Sequence, residues 1–385
     1  PVRAFQKIVQ MAIDKRVHAV LITGDVYTSA DHNLTAQLDY VRLLHKLAQN
    51  NIQVFAVLGN HDPLEAWKAK IPFPPNVHVF PTDAVERVPL VVDGEEVAAI
   101  YGQSYAKSEQ RDNLAWKFNR AAGDRFSIGM LHTQVGSRDS TYAPCTLEDL
   151  KECGMDYWAL GHIHKHEILC EKPYVVYAGN PQGLDCTETG PRGCYYVEVG
   201  PYGTTDLEFI DTSIVRWESI DLAIDGIESV SELRESVRFA KEKVRRDIGK
   251  PTFLTVNFTG SGSMYHVLNN PEATQYWLES WREEEQGKYA FVMVERLRNL
   301  ARPKMNMDER SKLPDSVGDY LNVFDKLEKL APEERAKALR DILMSRPEFE
   351  RLGAYGRALT DQRLLETFEK AKWLGVQKLL EHRRG

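Results

Sequence analysis

The sequence contains no apolar run that approaches the length of a membrane span, so no stretch of it reads as a transmembrane helix. Nor does it open with a basic segment followed by an apolar one, the pattern of a secretory leader. Cysteine is scarce. Cys145, Cys153, Cys170, Cys186 and Cys194 are five in number, an odd count, and none forms a CxxC pair. This argues against a disulfide framework or a thiolate zinc site and leads us to expect a cytoplasmic protein. Positive charge is short as well: 49 Lys and Arg stand against 56 Asp and Glu, a formal net charge of −7. A module that held nucleic acid by charge alone would be basic. Any grip on a polyanion must therefore come from a local basic surface, bound metal ions or a partner. Internal repeats and low-complexity tracts are also missing.

What is present is an alternation of strands and helices. Phe5, Ile8, Val9, Ala12 and Ile13 lie on one face of a first helix. Ala19-Val20-Leu21-Ile22 reads as a buried strand that runs into Thr23-Gly24-Asp25. A second helix follows, with Leu38, Val41, Leu44 and Leu47 expected inward. The apolar run from Val54 to Leu58 then leads into Gly59-Asn60-His61-Asp62. Such alternation marks parallel βαβ units. Short strands follow, with Asp93-Gly94 as a hairpin turn between two of them. Ser127 to Leu131 ends at His132. Thr146 reads as an N-cap with Asp149 three residues on, and Gly154 as the stop. Tyr157 to Leu160 ends in Gly161-His162-Ile163-His164. Beyond Val215, a capping box at Ser229 and Glu232 and strands near 252–258 and 290–297 suggest a small α+β unit. From about Met305 the chain reads as helices of mixed charge, broken by Pro314, Pro332 and Pro347.

Four strands thus end in polar residues able to bind metal. In open α/β sheets ligands bind beyond the carboxyl ends of the strands, and glycine lets the backbone turn sharply there. The placement converges Asp25, Asn60, His132 and His162 on one rim. Imidazole together with carboxylate suits manganese, iron or zinc. His162 and His164, two apart in extended backbone, share a face, so each could serve one of two neighbouring metals. Asp25 has two oxygens with which to bridge. Metals about 3.5–4 Å apart polarise a phosphoryl group for in-line attack. Taken singly, Asp25 could cap a loop, His61 and Asp62 could form a turn before Pro63, and His132 could be a satisfied core histidine. Their order along the chain favours ligands.

In that order, Gly24-Asp25-Val26-Tyr27, Gly59-Asn60-His61-Asp62, His132 and Gly161-His162-Ile163-His164 resemble the motifs of the calcineurin-like metallophosphoesterases. Gly179-Asn180-Pro181-Gln182, then Glu188 and Gly190-Pro191-Arg192-Gly193, resemble the SbcD-type DNA repair exonucleases. Asn60-His61-Asp62-Pro63 through Val77-His78-Val79-Phe80 resembles their YhaO-like branch. The resemblance implies a four-layer α/β sandwich core over residues 1–212, an α+β capping domain over 213–303 and a helical partner-docking segment over 304–385. It implies Asp25 as bridging ligand, Asn60, His132 and His162 as the other ligands of one metal, and His164 as a ligand of the second. It gives His61 the scissile phosphate and the leaving oxygen, with Asp62 orienting His61. The implied activity is manganese-dependent hydrolysis of DNA, exonucleolytic and single-strand endonucleolytic, by in-line attack of a metal-held hydroxide. The implied partner is an SbcC-like coiled-coil ATPase, and a homodimer fits the family. The family's opening Asp-x-His motif, which supplies the second metal, has no counterpart in this sequence. We expect it upstream of residue 1 rather than lost from the protein. Rival readings are a phosphoesterase acting on nucleotides or phosphoproteins, and a non-catalytic subunit of an ATPase complex.

Three further features carry weaker signals. His166 continues the alternation of His162 and His164 and reads as a rim residue rather than a ligand. Tyr101, Tyr105 and Trp116 could form a platform for bases but read more simply as packing. The run from Lys241 to Arg246 could face DNA but reads more simply as a solvated helix face.

Overall fold

The computed structural model describes residues 1–27, 33–66, 71–137, 139–305, 307–350 and 359–381. By its contacts the chain divides into two compact units. The first comprises Pro1–Ile220, Ala240–Val256 and Leu278–Arg296; the second comprises Asp221–Phe239, Asn257–Trp277 and Leu297–Gly385.

The first unit is built on two sheets. β1 (Ala19–Ile22), β2 (Gln53–Ala56) and β3 (Val77–Val79) pair in that order, all parallel. The second sheet uses β4 (Glu86–Val92), β5 (Glu95–Gln103), β6 (Ser127–His132), β7 (Tyr157–Gly161), β8 (Glu167–Glu171) and β9 (Tyr174–Tyr177). Its order is β4-β5-β6-β7-β9-β8, with a parallel centre and an antiparallel strand at each edge. A separate ribbon pairs β10 (Gly193–Val199) with β11 (Thr205–Asp211).

Period-two alternation along the strands sorts the side chains into three apolar layers. Phe55, Val57 and Phe80 meet Ile100, Met130, Ala159 and Val176 between the sheets. On the outer face of the smaller sheet, Val54 and Ile52 meet helices α1 (Val2–Asp14) and α2 (Leu34–Gln49) through Val9, Tyr40, Leu44 and Leu47. On the outer face of the larger sheet, Leu131, Trp158, Leu160 and Val175 pack under Leu114, Phe118 and Leu150. The result is helices, sheet, sheet, helices: the four-layer α/β sandwich that the resemblance implies. Asp93 and Gly94 both take positive φ, as a two-residue hairpin turn requires. Thr146 and Asp149 form the capping box of helix α3 (Leu147–Glu152).

Several readings need correction. Leu38 is 50% exposed. Spacings of three alone drift around a helix of 3.6 residues per turn, and the buried face of α2 runs through Gln37, Tyr40, Val41, Leu44 and Leu47 instead. Tyr101 and Tyr105, 3% and 0% exposed, are packing residues as the simpler reading has it, but Trp116 is 73% exposed. Lys241 is buried, not solvated. Its Nζ lies 2.9 Å from Glu285 Oε1, and Arg245 and Lys288 reach the same carboxylate.

Strands Arg216–Ala223, Thr252–Thr259 and Val292–Asn299 form a further three-stranded sheet in that order. In the second unit, helices Ser316–Glu328 and Asp361–Glu381 pack through Val317, Leu321 and Val376, with Phe324 against Phe368 at 4.9 Å. Asp315 caps the first of them, accepting from the amides of Val317 and Gly318. Pro332 opens the intervening helix at a position where no amide is needed.

Candidate metal centre

Strands β1, β2, β6 and β7 run parallel within their sheets and deliver their carboxyl ends to one place. His132, the last residue of β6, is fully buried. Its Nδ1 lies 2.9 Å from the Thr23 carbonyl just past β1. A carbonyl can only accept, so Nδ1 carries the proton and donates. The other nitrogen, Nε2, then turns a lone pair toward Asn60 Oδ1 at 2.9 Å and Asp25 Oδ2 at 3.3 Å. His162 Nδ1 approaches the same Asn60 oxygen at 3.2 Å. Four electron-rich groups from four strand ends therefore face one another. Such a set is repulsive unless a proton or a cation sits among them. That donor chemistry, two imidazoles with a carboxylate and an amide oxygen, fits a divalent transition metal.

Glycines make the approach possible. A Cβ on Gly161 would stand 1.9 Å from the Thr23 carbonyl and 2.8 Å from His132 Nδ1. One on Gly59 would stand 2.3 Å from Asp25 Oδ1 and 2.6 Å from His132 Cε1. Asp25 and His162 themselves take φ of 57° and 96°. Side chains rarely occupy that region, and such strain concentrates at functional sites.

Electrostatics favour the ligand forms. Burial alone would raise the Asp25 carboxyl, but a positive charge in the cluster, supplied in the metal-free protein by a second proton on His132, and the His61 amide outweigh it and hold it below its usual value. Burial, then the neighbouring His132, pushes His162 down to about 4, so its imidazole is neutral and free to coordinate at neutral pH. Among the described residues, no three His, Cys, Asp or Glu groups by themselves form a cation cage. The hub of the cluster is the Asn60 amide oxygen.

His61 is exposed, and its backbone amide donates to Asp25 Oδ1 at 2.8 Å. Asp62 has a structural part in the site. Its carboxylate is 2% exposed and accepts the amides of Gly59 at 2.7 Å, Val26 at 3.0 Å and Asp25 at 3.1 Å. Those bonds make it a clasp between the loops that carry Asp25 and Asn60. His164 stands beside the cluster of four rather than in it. Its Nδ1 is 2.5 Å from Glu188 Oε1. His166 lies further out, its ring stacked on Phe209 at 3.7 Å.

The sequence left several contributors without a role. Tyr142 lays its ring over His162 at 4.4 Å, and Tyr105 meets His132 edge-on at 5.4 Å. Gln182 Oε1 accepts the amides of Ile214 and Val215. Arg192 is buried and donates to the carbonyls of His164 and Thr189. These residues follow no helical or strand period, so only their place in a motif could have marked them.

Comparison with known proteins gives the family. A profile of the calcineurin-like phosphoesterases matches residues 2–166, and one of the middle domain of metallophosphoesterase YhaO matches residues 217–302. The chain is 32% identical over 304 residues to the uncharacterized metallophosphoesterase YhaO of Bacillus subtilis, covering 78% of this chain and 74% of that one. It is 21% identical over 368 residues to the DNA double-strand break repair protein Mre11 of Sulfolobus acidocaldarius, covering 89% and 88%. With the Mre11 protein of Haloferax volcanii it shares 27% identity over 242 residues, covering 61% and 52%.

Proposed function

Because the chain belongs to the calcineurin-like metallophosphoesterases, in their YhaO-like branch, we propose that it is a metal-dependent phosphodiesterase acting on DNA. The family is one of hydrolases that use divalent metal ions. The observation that carries the proposal is the set of four donors, from Asp25, Asn60, His132 and His162, brought together where the carboxyl ends of strands from both sheets meet. The named repair proteins among its relatives point the substrate toward DNA.

In this reading Asp25, Asn60, His132 and His162 hold one ion, and Asp25 and His164 contribute to a second. Manganese suits the mixed oxygen and nitrogen donors. Bound ions supply Lewis-acid polarisation of the phosphoryl oxygens and make an attacking water more acidic. The residues do the rest. The exposed His61 ring contacts the scissile phosphate and steadies the departing oxygen, its backbone fixed by Asp25. Asp62 keeps the two ligand loops in register. Tyr142 shields one face of His162 from water.

With a net charge of −7, the protein gains affinity for DNA from the ions and from a partner. We assign that partner to the class of coiled-coil ATPases, docking on the helical segment 304–385 beyond a capping domain at 213–303; a homodimer is compatible with the same arrangement. No described helix is long and apolar enough to cross a membrane. The test is cleavage of linear duplex and single-stranded DNA with added manganese, by wild type and His61→Ala, with and without such an ATPase. Cleavage that needs manganese and falls at least about 100-fold in His61→Ala supports the proposal. Hydrolysis of nucleotides or phosphopeptides in place of DNA would redirect it to another phosphoester.

A further inference from the structure

His164 differs from the other histidines of the centre. Its side chain is 45% exposed, whereas that of His132 is 1% exposed. Packing alone does not hold such a ring in one orientation. Its only described side-chain hydrogen bond is to Glu188, from Nδ1 to Oε1 at 2.5 Å. Glu188 is the fixed member of the pair, with 14% of its side chain exposed. Its second oxygen, Oε2, accepts from Asn180 Nδ2 at 2.8 Å and from the Leu184 amide at 2.7 Å. The loop that carries Glu188 is tied to the same strand end. The Asn180 amide donates to the His164 carbonyl at 3.0 Å, and Arg192 bridges that carbonyl and Asn180 Oδ1.

From this we infer that Glu188 is a positioning residue: it fixes His164 as the Nδ1–H tautomer and leaves Nε2 bare for a metal ion. The inference rests on the proposed role of His164 as a ligand. Oε2 of Glu188 already accepts two hydrogen bonds and Oε1 faces the ring, so both oxygens are committed to protein partners. A carboxylate behind a ligand histidine orients the ring and raises its basicity, and losing it lowers metal affinity about 10- to 100-fold. An Asp would be one methylene too short to span from the Leu184 amide to the ring.

The experiment compares wild type, Glu188→Gln and Glu188→Asp as full chains labelled with 15N at histidine. Long-range 1H–15N spectra without metal read the tautomer of His164, assigned through His164→Asn. Manganese titration by calorimetry reads affinity. Urea unfolding in chelator reads the structural cost. The expected result is a predominantly Nδ1–H His164 in wild type and a mixture of tautomers in both variants. Manganese affinity should fall about 10- to 100-fold in Glu188→Gln. An unchanged tautomer in Glu188→Gln overturns the inference, as does a loss of affinity explained wholly by unfolding. If wild type binds no manganese yet shows the tautomer shift, the metal reading fails while the role of Glu188 stands.

Discussion

Replacing Asp62 by Asn separates two accounts of that residue. As an orienter of His61, Asp62 would affect rate and leave stability alone. As a clasp between loops, it should affect stability first. Asp62 Oδ1 accepts from Gly59 and Asp25, and Oδ2 from Val26, at a site 2% exposed. Asn can keep one oxygen on the Gly59 and Asp25 amides, but its NH2 then faces the Val26 N–H. Orphaning one buried donor costs about 1–3 kcal/mol, and losing charge assistance at the other two adds about 1 kcal/mol each. Part of this is offset, because burial already pushes the Asp62 carboxyl above its usual value and Asn removes that buried charge. The net loss should be about 2–3 kcal/mol for Asp62→Asn and about 4 kcal/mol for Asp62→Ala. Urea unfolding at neutral pH in chelator measures it. Manganese affinity should fall in parallel as the Asp25 and Asn60 loops lose register. Stability within about 0.5 kcal/mol of wild type for Asp62→Asn, the range of an ordinary surface change, would refute the clasp.

Other consequences follow from the same structure. Gly161→Ala puts a methyl 1.9 Å from the Thr23 carbonyl, so we expect a loss of about 2 kcal/mol or more in urea unfolding and no measurable manganese binding by calorimetry. Glu285 would be raised by burial, but the Val292 amide and then Arg245, Lys241 and Lys288 hold it down to about 2. Its contribution, about 3 kcal/mol, is present above its unfolded value and lost as pH falls toward 2, so Glu285→Gln should flatten that arm of a stability-against-pH curve. His162, lowered to about 4, stabilises the fold above its unfolded value of 6.5 and loses that contribution as pH falls from 6.5 through 4. In chelator, His162→Asn should remove this part of the acid dependence.

The strand-helix alternation and the convergence of Asp25, Asn60, His132 and His162 were legible because each rests on local signals. Apolar runs ending in Gly-Asp, Gly-Asn-His-Asp and Gly-His-x-His announce parallel strands that stop at a common edge. What escaped depends on tertiary contacts. Strand β8 was not read because Glu167 to Glu171 is a short, half-exposed edge whose apolar residues do not alternate with polar ones. Lys241 looked like a surface lysine because its partner, Glu285, lies 44 residues away in sequence. The clasp made by Asp62 also escaped, because two of the amides it accepts, those of Asp25 and Val26, lie 37 and 36 positions away on the loop after the neighbouring strand. The resemblance already contained Glu188, but its bond to His164 spans 24 positions and no periodicity reveals it.

The central claim is that Asp25, Asn60, His132 and His162 form a site for a divalent cation. Anomalous diffraction at the manganese edge, from crystals of the protein grown with manganese, tests it most directly. The account predicts a peak bounded by those four side chains and absent in His132→Ala. A manganese-loaded crystal with no peak there, or with the four side chains still bonded to one another around an empty centre, would contradict it.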